Sequence, residues 1–279
     1  MSAAPSTPPV VGPEVGPTLD ALFATWDSID ALLADRPESD WKTPTRCPGW
    51  SVQDVASHLI ATERMLAGLP LTSHVAPEAP HVRNPIGRFN ENEADSRRAL
   101  PGARVYEEWR EVSGVRRAAL RAAEPSYFTT ETDTPTGRAP MIEFVHLRVL
   151  DCWIHEQDVR AAIGPEGNRT GAGLAVTVDR LGRALPMVVG KRAAAGDGAR
   201  VVVRTTGAVA REWSIVVAGG RAALDPAATG TPTASLAIDA WDFAWLATGR
   251  AEPAAAGRVR VEGDAALAGR IVAQLNVMI

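Results

Sequence analysis

Cysteine is scarce in this chain. Only Cys47 and Cys152 occur in 279 residues, with no CxxC pair, so no disulfide framework can be built. That usage fits a reducing, cytoplasmic setting. Long apolar runs are missing too, and no stretch approaches the ~20 residues needed to span a bilayer. The opening MSAAPSTPPVVGPEVGP has neither a basic region nor an apolar core, which excludes a signal peptide. Its Pro, Ser and Ala content predicts a disordered leader over residues 1–16. Neither a GxGxxG nor a GxxxxGK[ST] string is present, so dinucleotide and P-loop readings have no support. A net charge of −4 provides no general attraction to nucleic acid or to an anionic membrane. No repeat of solenoid length is visible.

What is present suits an ordinary globular protein. Hydrophobic residues make up 46% and charged residues 22%, and 279 residues suffice for two domains. Helical spacing starts near Thr18, with Leu19, Leu22, Phe23, Trp26, Ile29 and Leu33. Ser51 looks like an N-cap, with Asp54 in the capping-box position where Glu or Gln is more usual. It opens a second helix from about Val52 to Leu66, whose stripe of Val52, Val55, Leu59 and Met65 turns His58 toward the core. A Pro-rich stretch, 69–90, predicts a rim loop with His74 and His81 facing solvent, followed by a short helix around Asn92–Ala99. A third helix runs from about Val105 to Ala123, with Trp109, Val112, Val115 and Leu120 on its apolar side, and a fourth starts near Pro140. Four helices with long connections predict an antiparallel bundle over residues 17–165. Composition shifts at GPEGNRTGAG. Beyond it, a helix over Leu174–Val189, strands in ARVVVRTTG, REWSIVVAGGRAALD, ASLAIDA and GRVRVEGD, a short helix closed by Gly249 and a final helix predict an α+β domain over 172–279.

The chemistry concentrates in HLRVLDCWIHEQDVRAAIG, which reads as one helix. Asp151, His155 and Asp158 share a face, at spacings of four and three. Asp151 and His155 amount to two-thirds of a metal site, and His58 is the best candidate for the third ligand. An inward carboxylate needs a cation, because burying it unpaired is costly. For Asp151 that cation is either a metal or Arg148, three residues back. Asp158 is read either as a group that orients His155 or as a solvated carboxylate.

TPTRCPGWSVQDVASHL resembles the entry to the second helix of DinB/YfiT-like metalloproteins, and more closely that of the mycothiol-dependent maleylpyruvate isomerase family of actinobacteria. LRVLDCWIHEQDVRAAIG resembles that family's second motif, in which a carboxylate and a His four residues later complete the ligand set. The resemblance places the metal on His58, Asp151 and His155, with Asp where the family often has Glu. ASLAIDAWDFAWLATGRAEPAAAGRVRVEGDAALAGRIV resembles its second, sterol-carrier-like domain. The fold this implies is a DinB-like four-helix bundle followed by a smaller α+β domain.

Two imidazoles and one carboxylate leave a coordination position open, the mark of a catalytic metal. Zinc is the first expectation, with nickel or Fe(II) as alternatives. The resemblance implies a low-molecular-weight thiol, mycothiol, at the open position, and a small electrophilic substrate. The expected activity is an isomerase or S-transferase. The alternative class is a protein that keeps a metal or small ligand without turnover. Asp158 and Arg250 are the candidate catalytic groups, Arg250 as a fork for a carboxylate. Trp50 and Trp153 are candidate walls for the cofactor, with core packing as the bland alternative. Cys47 reads as a small buried residue, a soft ligand or a redox thiol, and Cys152, about 100° round the helix from Asp151, is not expected to be a ligand. A monomer or homodimer is expected.

Overall fold

The computed structural model describes residues 14–250 and 256–278. Most of the expected leader therefore lies outside the described residues. The described chain falls into two compact units, one ending at Asn168 and one starting at Arg169.

The first unit is helical. Helix α1 (Val15–Leu33) begins before Pro17, and its apolar stripe buries Leu22, Trp26, Ile29 and Leu33. A short turn, α2 (Glu38–Trp41), precedes α3 (Val52–Leu66). The α3 cap is as expected: Ser51 accepts from the Asp54 amide, and the Asp54 carboxylate accepts from the Ser51 amide at 2.8 Å. Such a cap is worth about 1 kcal/mol. Met65 sits in the last turn of α3 and is exposed rather than part of the stripe. Helix α4 spans Pro85–Asp95, earlier than the expected Asn92–Ala99. Asn84 caps it and Pro85 occupies its first turn, where a missing N–H costs nothing. Helix α5 (Gly102–Ala122) buries Val105, Trp109, Val112 and Leu120, but Val115 is exposed. After a turn, α6 (Pro125–Thr129), a hairpin pairs β1 (Glu131–Thr134) with β2 (Gly137–Pro140), where the sequence pattern predicts only a connection. It leads into α7 (Met141–Ile163). Helix α1 packs on α7 and α5, while α3 packs on α5, α4 and α7. Both helices that carry the candidate ligands, α3 and α7, thus touch.

The second unit is a five-stranded sheet with helices. The expected helix over Leu174–Val189 ends early: α8 is Ala172–Gly182, and a π-helical turn follows at Met187–Arg192, next to Pro186. Strands β3 (Arg200–Thr206), β4 (Arg211–Ala218), β5 (Arg221–Leu224), β6 (Ala234–Asp239) and β7 (Arg260–Gly263) stand in the order β5-β4-β3-β6-β7. Only β3 and β6 pair in parallel. Both are largely buried, β3 through Val201, Val202 and Val203 and β6 through Ala234, Leu236 and Ile238, as strands covered on both faces tend to be. Helix α9 (Ala240–Ala247) follows β6 and ends at Gly249, whose φ of +72° is a conformation other residues rarely adopt. Helix α10 (Ala265–Ala273) closes the unit.

Candidate metal centre

The loop before α3 is shaped by its sequence. The Trp50 amide donates to the Cys47 carbonyl at 3.0 Å, and Gly49 has φ +79°, so Cys47-Pro48-Gly49-Trp50 has the Pro-then-Gly order of a type II turn. A Cβ at Gly49 would stand 2.5 Å from the His81 ring, so the glycine also makes room for that imidazole. The turn brings Cys47 and Trp50 to α3 and α7. The Trp50 ring lies 5.5 Å from the His58 ring and 6.3 Å from the His155 ring, centre to centre. Its indole N–H donates to Glu91 at 2.9 Å.

Helix α7 supplies Asp151, His155 and Asp158 from one face, and α3 supplies His58. His58 Nε2 lies 3.1 Å from Asp151 Oδ2, and His155 Nε2 lies 3.5 Å from Asp151 Oδ1. One donor atom from each of His58, Asp151 and His155 falls within 4.8 Å of the other two. His155 turns its second nitrogen, Nδ1, to Asp158 Oδ2 at 3.0 Å. This carboxylate–imidazole arrangement is the one that fixes tautomer and orientation in metal-bound histidines. Asp158 is fully buried, so the solvated reading does not hold.

Asp151 is also held by an arginine. Arg148 Nη1 bonds Asp151 Oδ2, while Arg148 Nε bonds Glu63 Oε1 at 2.8 Å and Arg116 Nε bonds Glu63 Oε2 at 3.1 Å. The two readings of Asp151 are therefore compatible. A carboxylate has two oxygens and about four lone-pair sites, so Arg148 on Oδ2 leaves Oδ1 toward His155. Glu63 is 0% exposed, and nothing in its spacing along the sequence links it to Arg148, 85 positions away. Cys152 accepts from Arg148 and Trp26, and burial pushes its thiol up to about 12, so it is inert.

Burial lowers the pKa of His58 and outweighs the opposing pull of Asp151, keeping the ring neutral, the form that ligates. Its Nδ1 is buried without a hydrogen-bond partner. Burial alone would raise the Asp151 pKa, but the hydrogen bond from His58 and the charge of Arg148 outweigh it and hold the carboxyl well below its usual range. The donor set and the neutral ring fit a divalent ion.

These shifts make acid stability testable. An unfolded His titrates near about 6.5, above the folded value, so stability is lost as pH falls through that range. Asp151 adds a second loss below about 4, where the unfolded carboxylate takes a proton first. Unfolding free energy in the presence of chelator should fall in both windows, and His58→Asn should flatten the upper one. An unchanged upper window in His58→Asn would refute the assignment.

Other expectations meet different surroundings. Trp153 is fully buried, about 200° round the helix from Asp151, and donates to the Asn168 carbonyl at 2.8 Å. It is a core residue of the first unit rather than a wall beside the histidines. Arg250 belongs to the second unit and donates to the Thr248 carbonyl at 2.9 Å. His81 is half-buried and pairs with Glu91 at 2.8 Å, so only His74 is exposed as expected; it pairs with Asp95. Glu91, 2% exposed, takes Trp50, His81 and Arg98 together.

The family model described as the mycothiol maleylpyruvate isomerase N-terminal domain matches residues 22–160, and the one for the MDMPI C-terminal domain matches residues 175–270. The chain belongs to this family. A crystal structure of the mycothiol-dependent maleylpyruvate isomerase is similar in fold over 90% of this chain and 93% of that one, with a TM-score of 0.59 at 16% identity. A point mutant of that enzyme matches over the same shares, with a TM-score of 0.57 at 17% identity. Uncharacterized proteins from two strains of Mycobacterium tuberculosis are each 30% identical over 156 residues, 53% of this chain. The match spans 57% of the length of these curated relatives. Both domains of the family are matched, and His58, Asp151 and His155 lie inside the matched region of the first. Among the described residues no helix is long and apolar enough to cross a membrane.

Proposed function

We propose that this chain is a metal- and mycothiol-dependent isomerase or S-transferase acting on a small electrophile such as maleylpyruvate, working in the cytoplasm. The observation that carries the reading is the convergence of His58, Asp151 and His155 in a member of this family. On the same reading, the helical unit is a DinB-like four-helix bundle, the second unit is sterol-carrier-like, and the domains are 17–165 and 172–279.

His58, Asp151 and His155 would hold the ion, with zinc first and nickel or Fe(II) as alternatives. Such an ion, when bound, lowers the pKa of a thiol at its open position and supplies a nucleophile at neutral pH. The chain's own residues do the rest. Asp158 keeps the His155 Nδ1 proton and leaves Nε2 free to ligate. Arg148, anchored by Glu63, fixes the rotamer of Asp151 through one oxygen. Trp50, tilted by 40° and 33° to the two imidazoles, covers that side of the pair. Arg250 is retained as the proposed binder of a carboxylate of substrate or thiol.

The second reading, a metal or ligand carrier without turnover, draws on the Arg148–Asp151 pair, which gives the carboxylate a structural partner of its own. Assay with mycothiol and maleylpyruvate separates the two. The enzyme reading expects metal in the purified protein, thiol-dependent isomerisation lost with chelator and restored by metal, and an inactive His155→Ala. A stable thioether product instead of isomerised substrate identifies S-transfer. Turnover that survives chelation, or needs no thiol, would sink the reading, and metal binding with no reaction on any electrophile would favour the carrier.

A further inference from the structure

His155 presents both ring nitrogens to carboxylates, and on its Nδ1 side a thiol joins them. Cys47 Sγ lies 3.2 Å from Asp158 Oδ2 and 3.8 Å from His155 Nδ1, and the latter two atoms are 3.0 Å apart. A tetrahedral ion at the bond lengths usual for zinc, about 2.3 Å to sulfur and about 2.0 Å to nitrogen and oxygen, sets its donors roughly 3.3–3.6 Å apart. The three atoms therefore already stand close to the spacing such an ion requires, without rearrangement of the backbone. The turn that delivers Cys47 is set by Pro48 and Gly49, so the thiol is on a constrained element. Asp158 and His155 are buried, and Cys47 is half-exposed, which leaves a side open for entry and for a fourth ligand.

We propose that Cys47, Asp158 and His155 Nδ1 form a second cation position, selective for a thiophilic divalent ion, which competes with the first for His155. Sulfur in the ligand set favours a softer ion than two imidazoles and a carboxylate do. On binding, the Cys47 thiol proton leaves to solvent and the sulfur–metal bond forms. A neutral imidazole has one lone pair, so an ion on Nδ1 puts the ring proton on Nε2, facing Asp151. The first position then loses a ligand. Thiophilic metal would thus switch the proposed enzyme off by withdrawing His155 rather than by blocking the substrate. This competition rests on the reading of His58, Asp151 and His155 as the first site; the second position does not.

Cobalt(II) is the probe, because a sulfur ligand gives a strong near-ultraviolet charge-transfer band that nitrogen and oxygen ligands lack. His58→Ala and Asp151→Asn each cripple the first position and leave Cys47, Asp158 and His155 intact. Both should bind cobalt with the sulfur band. Asp151 is the partly exposed member, so its variant guards against a folding defect in the other. Adding Cys47→Ser to either should abolish the band and weaken cobalt binding by at least about tenfold, as loss of a soft ligand does. Absence of the band in both first-site variants overturns the proposal. So does a band that persists after Cys47→Ser, which would assign the sulfur to Cys152. Cys47→Ser alone should bind cobalt without the band and should resist inhibition by cadmium. If that variant binds no cobalt at all, the first-site reading fails and the competition with it, while the second position stands.

Discussion

Asp151→Asn should lose the divalent ion of the first position. The side chain keeps its shape, but the charge that offsets the ion goes, and an amide is a poor ligand beside two neutral imidazoles. The loss in affinity should exceed the about 10–100-fold typical of removing a group that only supports a ligand. The measurement is best made in a Cys47→Ser background, so that the neighbouring thiol cannot hold an ion in its place. Stability should change modestly. Arg148 keeps Glu63 at 2.8 Å, and Asp151 is partly exposed, so the cost is about 1–2 kcal/mol. Asp151→Glu restores the charge and places the residue the family often carries, one methylene longer. It should retain metal with altered activity. Elemental analysis of the purified variants checks all of this. A fully loaded Asn variant would remove Asp151 from the ligand set and leave only two histidines, too few for the proposed chemistry.

Glu63→Gln should be the most destabilising conservative change in the helical unit. Glu63 is 0% exposed and is the shared acceptor of Arg116 and Arg148, themselves almost fully buried. Glutamine fits the space but carries no charge and turns a donor group toward the guanidiniums. Breaking a buried pair by removing one partner costs about 3–5 kcal/mol, because the other charge is left behind. For a unit of this size that lowers the melting temperature by roughly 10 °C. The effect should reach the candidate centre. Arg148 loses its anchor and keeps Asp151 as its one charged partner among the described residues, so metal affinity should drop about 10–100-fold even though Glu63 is not a ligand. Denaturant unfolding and metal titration of the same variant test both halves. A stability loss under about 1 kcal/mol would mean that the arginines find other partners, and unchanged affinity would detach the ion-pair chain from the centre.

Part of this centre is legible in the amino-acid sequence. Spacings of four and three residues put Asp151, His155 and Asp158 on one face of any α-helix, whatever it packs against, since that follows from 3.6 residues per turn. The Ser51 cap and the Pro48-Gly49 turn are local in the same way: both are closed by bonds within a few residues. Strands β3 and β4 of the second unit show in their Val-rich runs, whereas the break of α8 after Gly182 does not, because apolar residues continue on both sides of it.

The sequence by itself determined the local frame, namely the long helices α1, α3, α5 and α7, which residues share a face, and that an inward Asp151 must meet a cation. Only the tertiary structure decided which cations and acids meet there. By sequence, a metal and Arg148 are rival partners for Asp151, and the fold shows that its two oxygens need not share one partner. Glu63 reaches Arg148 and Cys47 reaches Asp158 because the placement of α3, and of the turn before it, against α7 sets those distances. Helical periodicity is a property of one segment, while a contact between side chains 85 or 111 positions apart depends on how two segments are packed, a quantity that hydrophobic spacing does not encode.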